Sequence, residues 1–226
     1  MPKHHLSEEI LMAYAAGSLP EALSLVVASH VTLCPACRSK VEAYEALGGS
    51  LMDALDPASL DESAFSNIMA EIDMLDGETE EAAPWGGAMP LPRKPEMEDT
   101  SLPRPLRDYL QVDLTALQWR KVMRGVEDTE IALGPDGAKT RLMRIQPGVA
   151  VPKHTHHGQE VTLVLEGGYS DADGHYERGD VQIADPSVDH QPVADEGEPC
   201  ICLVVSDAPM KMTGTFGRLL NPFVTY

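Results

Sequence analysis

This 226-residue chain has no long apolar runs and few basic residues. No apolar stretch approaches the roughly 18 residues that a membrane-spanning helix needs, so we expect no transmembrane segment. The first residues also lack the apolar stretch of a signal peptide, which favours a cytoplasmic location. Lys and Arg total 17 against 36 Asp and Glu, a net charge of −19. Because affinity for nucleic acid depends on basic side chains that neutralise phosphates, we expect no direct nucleic-acid binding. A basic protein partner is compatible with this charge.

Basic residues are missing altogether between Lys40 and Arg93, where twelve Asp and Glu occur. One interpretation is a solvated helix face followed by an acidic linker, and the other is a surface shaped for a basic protein. An amphipathic helix is predicted inside this region, in "DESAFSNIMAEIDML", with its apolar residues at helical spacing. Four of them are our candidate partner-binding residues: Phe65, Ile68, Met69 and Ile72.

The periodicity along the chain predicts helices first and strands afterwards. Ser7 is a good N-cap, Pro20 and Pro35 suit first helical turns, and Gly48-Gly49 should loosen or end the third helix. A segment rich in Pro, Gly and acid follows and has the composition of a linker. Short alternating runs then predict a β-sandwich or small barrel. We therefore predict a multidomain α plus β chain: an all-α helical bundle at 1–78, a flexible linker at 79–105 and an all-β domain at 106–226.

The stretch "HVTLCPAC" predicts a metal site in the helical domain. Its pattern is His30-x3-Cys34-x2-Cys37, and a Cys-x2-Cys turn brings two sulfurs close enough to share one tetrahedral zinc ion. A fourth ligand should come from the first residues, where His5 is our choice and His4 the alternative. A thioredoxin-like redox pair would need a βαβ context, which is absent.

A second metal site is predicted in "PKHTHHGQEVTLVLEGG". His154 and His156 alternate along a strand and therefore point to one face, and Glu160 adds a carboxylate, a set that suits a divalent transition metal. The spacing Gly148-x5-His154-x-His156-x3-Glu160-x6-Gly167 resembles the first motif of the cupin family. By that resemblance the fold is a double-stranded β-helix, or jelly-roll barrel, and the fourth ligand is His190, eleven residues after Gly179. The second motif departs from the family at Asp185, Ser187 and Ala194.

Two cysteines in "CICLVV" share one face of a predicted strand. One interpretation of Cys200 and Cys202 is core packing, because free cysteine is often buried. The other places them near the barrel interior as oxidisable groups or ligands. His157 and His175 are not assigned as ligands.

The pairing of the two motifs resembles the ChrR-type anti-sigma factors, a zinc-binding helical domain followed by a cupin. The stretches "HHLSEEILMAYAAG", "ASHVTLCPAC", "HTHHGQEVTLVLEG" and "DHQPVA" carry the resemblance over nearly the whole chain. It implies a regulator without catalytic residues, whose helical domain inhibits an extracytoplasmic-function sigma factor. It further implies one zinc held by His5, His30, Cys34 and Cys37, and a second metal, zinc or another divalent ion, held by His154, His156, Glu160 and His190. The cupin would be needed for the response to singlet oxygen or organic peroxide.

The alternative hypothesis is a metal-dependent cupin enzyme of the dioxygenase or isomerase type. A His3Glu site with an open coordination position could bind a substrate. The sequence offers few groups for substrate binding, with only three Phe in the chain and no clear general acid or nucleophile beyond the ligands. Cupins often dimerise, whereas a sigma complex could be one-to-one, so the oligomeric state stays open.

Overall fold

A computed structural model describes residues 1–77, 102–112, 114–131 and 138–214, with the side chains of residues 75–77 excepted. The helices are α1 (Glu8–Ala15), α2 (Glu21–Leu33), α3 (Pro35–Asp53), α4 (Ala64–Gly77) and α5 (Arg104–Leu110). The strands are β1 (Arg120–Met123), β2 (Val126–Ile131), β3 (Lys139–Ile145), β4 (His154–His156), β5 (Glu160–Glu166), β6 (Gly168–Ser170), β7 (His175–Glu177), β8 (Val181–Ala184), β9 (Val193–Ala194), β10 (Cys200–Ser206) and β11 (Met210–Met212). The predicted class, helices followed by an antiparallel β-barrel, is confirmed.

The helix starts follow the local sequence. The Ser7 hydroxyl accepts a hydrogen bond from the backbone N–H of Ile10, which caps α1. Gly17 ends this region with φ +67°, a conformation that glycine adopts without strain. We expected Gly48-Gly49 to loosen or end the third helix, and they do not end it: α3 continues to Asp53. A glycine costs a helix only about 1 kcal/mol relative to alanine, and good helix formers surround the pair.

Eleven antiparallel strands in three sheets form the β-domain of the described residues. The largest sheet has the order β1-β2-β3-β10-β5-β8, β4 pairs with β11, and β6 lies between β7 and β9. In the central strands β10 and β5, alternate residues face opposite sides. Glu160, Thr162 and Val164 face the barrel interior on the side of Cys202, whereas Leu163 faces outward.

The outward face of the large sheet shares one apolar core with the helices. Val26 and Val27 of α2 and Leu106 of α5 are fully buried in the same cluster as Leu163 and Leu203 of the sheet. Helix α2 contacts α5, β5 and β10. The first helices and the barrel therefore bury their apolar surfaces against each other.

The contacts divide the chain into two units. Met1–Gly48 and Met97–Tyr226 form one unit, and Gly49–Glu96, which contains α4, forms the other. Residues 79–101 of the predicted linker lie outside the described residues. At its end, Leu102 is buried and Arg104 begins α5, a helix that our prediction of linker and all-β structure did not include. That residues 1–78 and 106–226 act as separate functional domains stays a prediction.

Among the described residues, no helix taken alone has the length and apolar character of a membrane span. Helices α2 and α3 satisfy these criteria only as a pair, and the chain bends by 118° between them.

Candidate metal centres

Three histidines converge inside the barrel. The Nε2 atom of His190 lies 3.2 Å from Nε2 of His154 and 3.3 Å from Nε2 of His156. Strand β4 supplies His154 and His156, and Thr155 between them points away. A pair of backbone hydrogen bonds of 3.0 Å ties His190 to His154, although 36 positions separate them. All three side chains are buried.

Hydrogen bonds on the far side of two rings aim the Nε2 atoms inward. Nδ1 of His154 donates to the carbonyl of Pro152 at 2.7 Å, and Nδ1 of His190 donates to Asp171 at 2.9 Å. The same Asp171 oxygen accepts from the Gln182 amide at 2.7 Å. Such partners fix the tautomer of a metal-binding histidine and leave the Nε2 lone pair free for the ion. Sequence reasoning missed Asp171, which stands in a turn-like stretch, "SDADGH".

Glu160 lies at the edge of the histidine cluster. One of its carboxylate oxygens is 3.8 Å from Nδ1 of His156 and accepts a hydrogen bond from Ser206 at 2.9 Å. Nδ1 of His156 is buried, and no residue in the part of the chain that the structure describes forms a hydrogen bond with it. Three of the four predicted ligands, the histidines, thus have nitrogens within 4.8 Å of one another, and the fourth stands beside them.

Burial favours the neutral, metal-binding form of two of these histidines. It lowers the pKa of His154 to about 4, and it also lowers the pKa of His156. Imidazoles with converging Nε2 atoms and an adjacent carboxylate fit a divalent transition metal. His157, which is exposed, and His175, which binds Asp195, are outside the cluster.

An apolar cavity of about 40 Å³ adjoins these ligands. Its lining includes His154, Glu160, Tyr169 and Cys202. The Cys202 thiol lies 3.5 Å from that of Cys200, and both are buried. The hydrogen bond with Cys200, together with burial, raises the pKa of Cys202, which keeps this thiol protonated. Both thiols lie in the buried apolar cluster of the barrel, as core packing requires, and Cys202 also lines the cavity. A role of the pair as oxidisable groups or ligands stays a prediction.

A second cluster joins the first residues to the end of α2. Nδ1 of His5 lies 3.3 Å from Sγ of Cys34 and 3.6 Å from Sγ of Cys37. His30 completes the group, and the four ligand atoms lie within 4.8 Å of one another. Nε2 of His30 is buried and has no hydrogen-bond partner among the described residues, a cost that a bound ion would remove. Two thiols and two imidazoles at this separation fit a tetrahedral metal ion.

His4 and His5 are neighbours in the sequence, but their side chains have different contacts. The ring of His4 packs on Tyr176, with 4.4 Å between ring centroids, and its Nε2 lies 3.2 Å from the carbonyl of His175. Only His5 reaches the cysteines. Burial, followed by the hydrogen bond with Cys34, raises the pKa of Cys37 to about 11, so a metal must displace a proton there.

The candidate partner-binding residues lie on α4, and all four are exposed. The exposed fractions are 76% for Phe65, 58% for Ile68, 41% for Met69 and 44% for Ile72. Their i, i+3, i+4, i+7 spacing places them on one side of the helix. We call these four residues the α4 stripe.

Comparison with known proteins identifies the family. Residues 108–209 match the family described as the ChrR cupin-like domain. The anti-sigma-E factor ChrR of Cereibacter sphaeroides is 40% identical over 221 residues, which cover 98% of this chain and 97% of that protein. This chain belongs to the ChrR family of anti-sigma factors. Because ChrR proteins of this kind are regulators, membership confirms the prediction that the chain is not an enzyme.

A solved ChrR structure resembles this one closely. The crystal structure of Rhodobacter sphaeroides SigE in complex with the anti-sigma ChrR aligns with a TM-score of 0.75 and 38% identity. The alignment covers 92% of this chain and all of that one. The relationship therefore extends over both the helices and the barrel of the ChrR fold.

Proposed function

We propose that this chain is an anti-sigma factor that binds and inhibits an extracytoplasmic-function sigma factor in the cytoplasm. The α4 stripe carries the proposal. Exposed apolar residues at helical spacing are the pattern by which an amphipathic helix docks into a groove of a partner. The region from residue 41 to 92 has no Lys or Arg, so its charge suits a basic partner. Family membership supports the same assignment.

Truncation of the α4 stripe tests this proposal. In Phe65→Ala/Ile68→Ala, we expect the affinity for the partner sigma factor to fall about tenfold or more, because buried aromatic and aliphatic anchors dominate interfaces. Isothermal titration gives the dissociation constants. Val122→Ala on β1 is the control, because Val122 is also exposed, at 53%, and lies on the barrel. Equal affinities for both variants would contradict the role of the stripe.

We propose zinc as the ion of the N-terminal cluster, with a structural role. Closed sites of two thiolates and two imidazoles are typical of structural zinc. The ion would join the first residues to α2 and α3, because His5 and the cysteines lie on different elements. We expect Cys34→Ser/Cys37→Ser to lose both the zinc and the inhibition of sigma-dependent transcription. Full inhibition by a variant shown to lack this zinc would contradict a structural role.

We propose that the barrel metal, zinc or another divalent ion, is needed to release the sigma factor under oxidative stress. The ion would supply Lewis acidity beside the cavity, while the chain orients three imidazoles toward it. His156→Ala and His157→Ala form a matched pair, because only His156 belongs to the cluster. We expect both variants to inhibit the sigma factor, and only His157→Ala to release it after exposure to singlet oxygen or organic peroxide. Normal release by a metal-free His156→Ala barrel would refute this role.

A further inference from the structure

The turn between β7 and β8 of the barrel touches both the first residues of the chain and the end of α2. It runs from Glu177 to Val181. The candidate ligand His30 and the residues just before His5 therefore adjoin a turn that lies 149 positions from His30 and 176 positions from His4.

The first contact holds His30. Its Nδ1–H donates to the carbonyl of Gly179 at 2.9 Å, which leaves the Nε2 lone pair for the metal. Gly179 has φ +91°, and a Cβ atom here would lie 2.7 Å from Cγ of Pro2 and 3.4 Å from Cβ of Leu33. The close approach of the turn to the helical segment therefore depends on glycine.

The second contact holds the segment that carries His5. The buried Asp180 carboxylate accepts hydrogen bonds from the backbone N–H groups of Lys3 at 2.5 Å and His4 at 2.9 Å. Its other oxygen accepts from the N–H of Glu177 at 2.9 Å, within the turn itself. The N–H of Val181 donates to the carbonyl of His4. These hydrogen bonds hold the backbone of the two residues before His5, whose ring lies beside the cysteines.

We propose that Asp180 and the Gly179 carbonyl are positioning groups for the N-terminal metal centre, so that the barrel raises the metal affinity of the helical segment. This inference rests on the proposed N-terminal metal site and adds a role for the barrel that is separate from its own metal. Hydrogen-bond partners of metal ligands typically change affinity by about 10–100-fold when removed.

The full-length chain loaded with Co²⁺ provides the test. The N-terminal cluster contains two thiols and the histidine cluster of the barrel none, so thiolate-to-cobalt charge-transfer absorption that is lost in Cys34→Ser/Cys37→Ser reports on the N-terminal site. Total cobalt by elemental analysis then gives the barrel site by difference. We expect Asp180→Asn to weaken cobalt binding at the thiolate site about 10–100-fold, with barrel occupancy retained. Glu177→Gln is the control: it removes one charge from the same turn, and its side chain makes only an exposed ion pair with Lys3.

A second pair of variants changes the donor of the hydrogen bond between Lys3 and Asp180 instead of the acceptor. Lys3→Pro removes the backbone donor to Asp180, and Lys3→Gln keeps it while removing the exposed ion pair. Both changes lie outside the barrel, so they test the positioning role of Asp180 even if Asp180→Asn does not fold. We expect Lys3→Pro to weaken the thiolate site and Lys3→Gln to leave it unchanged.

The outcomes separate this inference from the proposed metal site. Unchanged thiolate-site affinity in a folded Asp180→Asn or in Lys3→Pro would overturn it. Equal losses at both metal centres would also overturn it, because they would indicate general destabilisation instead of positioning. A wild-type chain whose charge-transfer absorption is absent, or survives in Cys34→Ser/Cys37→Ser, would refute the N-terminal metal site itself, and the inference with it.

Discussion

If α2 and the sheet share one core, a small change on α2 should weaken the barrel as well as the helix. Val27 is fully buried in this core, so Val27→Ala is the perturbation we choose. It removes two methyl-sized groups, worth about 1.6 kcal/mol at roughly 0.8 kcal/mol each. The cavity that remains adds to this, and we expect a total loss of about 2 kcal/mol in the free energy of unfolding.

Urea denaturation with two probes measures this loss. Far-ultraviolet circular dichroism follows the helices, and the fluorescence of Trp119 follows the barrel side, where this ring packs against the shared core and under Arg144. Every protein in this comparison carries Trp85→Phe, so that Trp119 is the one tryptophan that fluoresces. With a slope of about 2–3 kcal/mol per molar urea, both midpoints should fall together by about 0.7–1 M. Val122→Ala removes the same atoms at an exposed site and should cost under about 0.5 kcal/mol.

Divergence of the two probes would refute this reasoning. If Val27→Ala lowers the midpoint seen by circular dichroism while the Trp119 midpoint stays in place, the helices unfold independently of the barrel. The shared core would then contribute little to cooperativity.

Two further predictions concern the barrel centre. Asp171→Asn should lower the metal affinity of the barrel centre about 10–100-fold, because Asp171 accepts a hydrogen bond from the metal-binding candidate His190. Competition with a coloured chelator measures this change, and an affinity equal to that of the wild type would contradict a supporting role. In the metal-free chain, burial holds the pKa of His154 at about 4 against 6.5 for the free side chain, so the folded chain binds fewer protons than the unfolded one between these values. Stability should therefore be fully present above pH 6.5 and fall as the pH drops toward about 4, and a flat urea midpoint across this range would contradict the burial of a neutral His154. The metal affinity of the folded chain should fall only as the pH approaches 4, where a proton begins to compete for His154.

Local patterns predicted much of the fold, and they failed where distant contacts decide. Ser7 as a cap and the alternation of His154 and His156 depend on neighbours within a few residues, and both appear as predicted. The helix through Gly48-Gly49 and the short helix α5 were missed. In each case a local helix-breaking signal is overridden, by good helix formers around the glycines and by the burial of Leu106.

The two candidate metal centres also combine features set by the local sequence with features set by distant contacts. The types and spacing of the donors in "HVTLCPAC" and "HTHHGQE" follow from chain geometry over one turn or one strand, so the sequence by itself determined which chemistry each site can support. The sequence already favoured His5 over His4 and, through the cupin resemblance, named His190. Only the tertiary structure put His5 beside the cysteines and His190 beside His154, and placed Asp171 and Asp180 behind these segments. The physical reason is that these choices rest on hydrogen bonds and apolar burial between segments that are distant in the chain, which no local periodicity records.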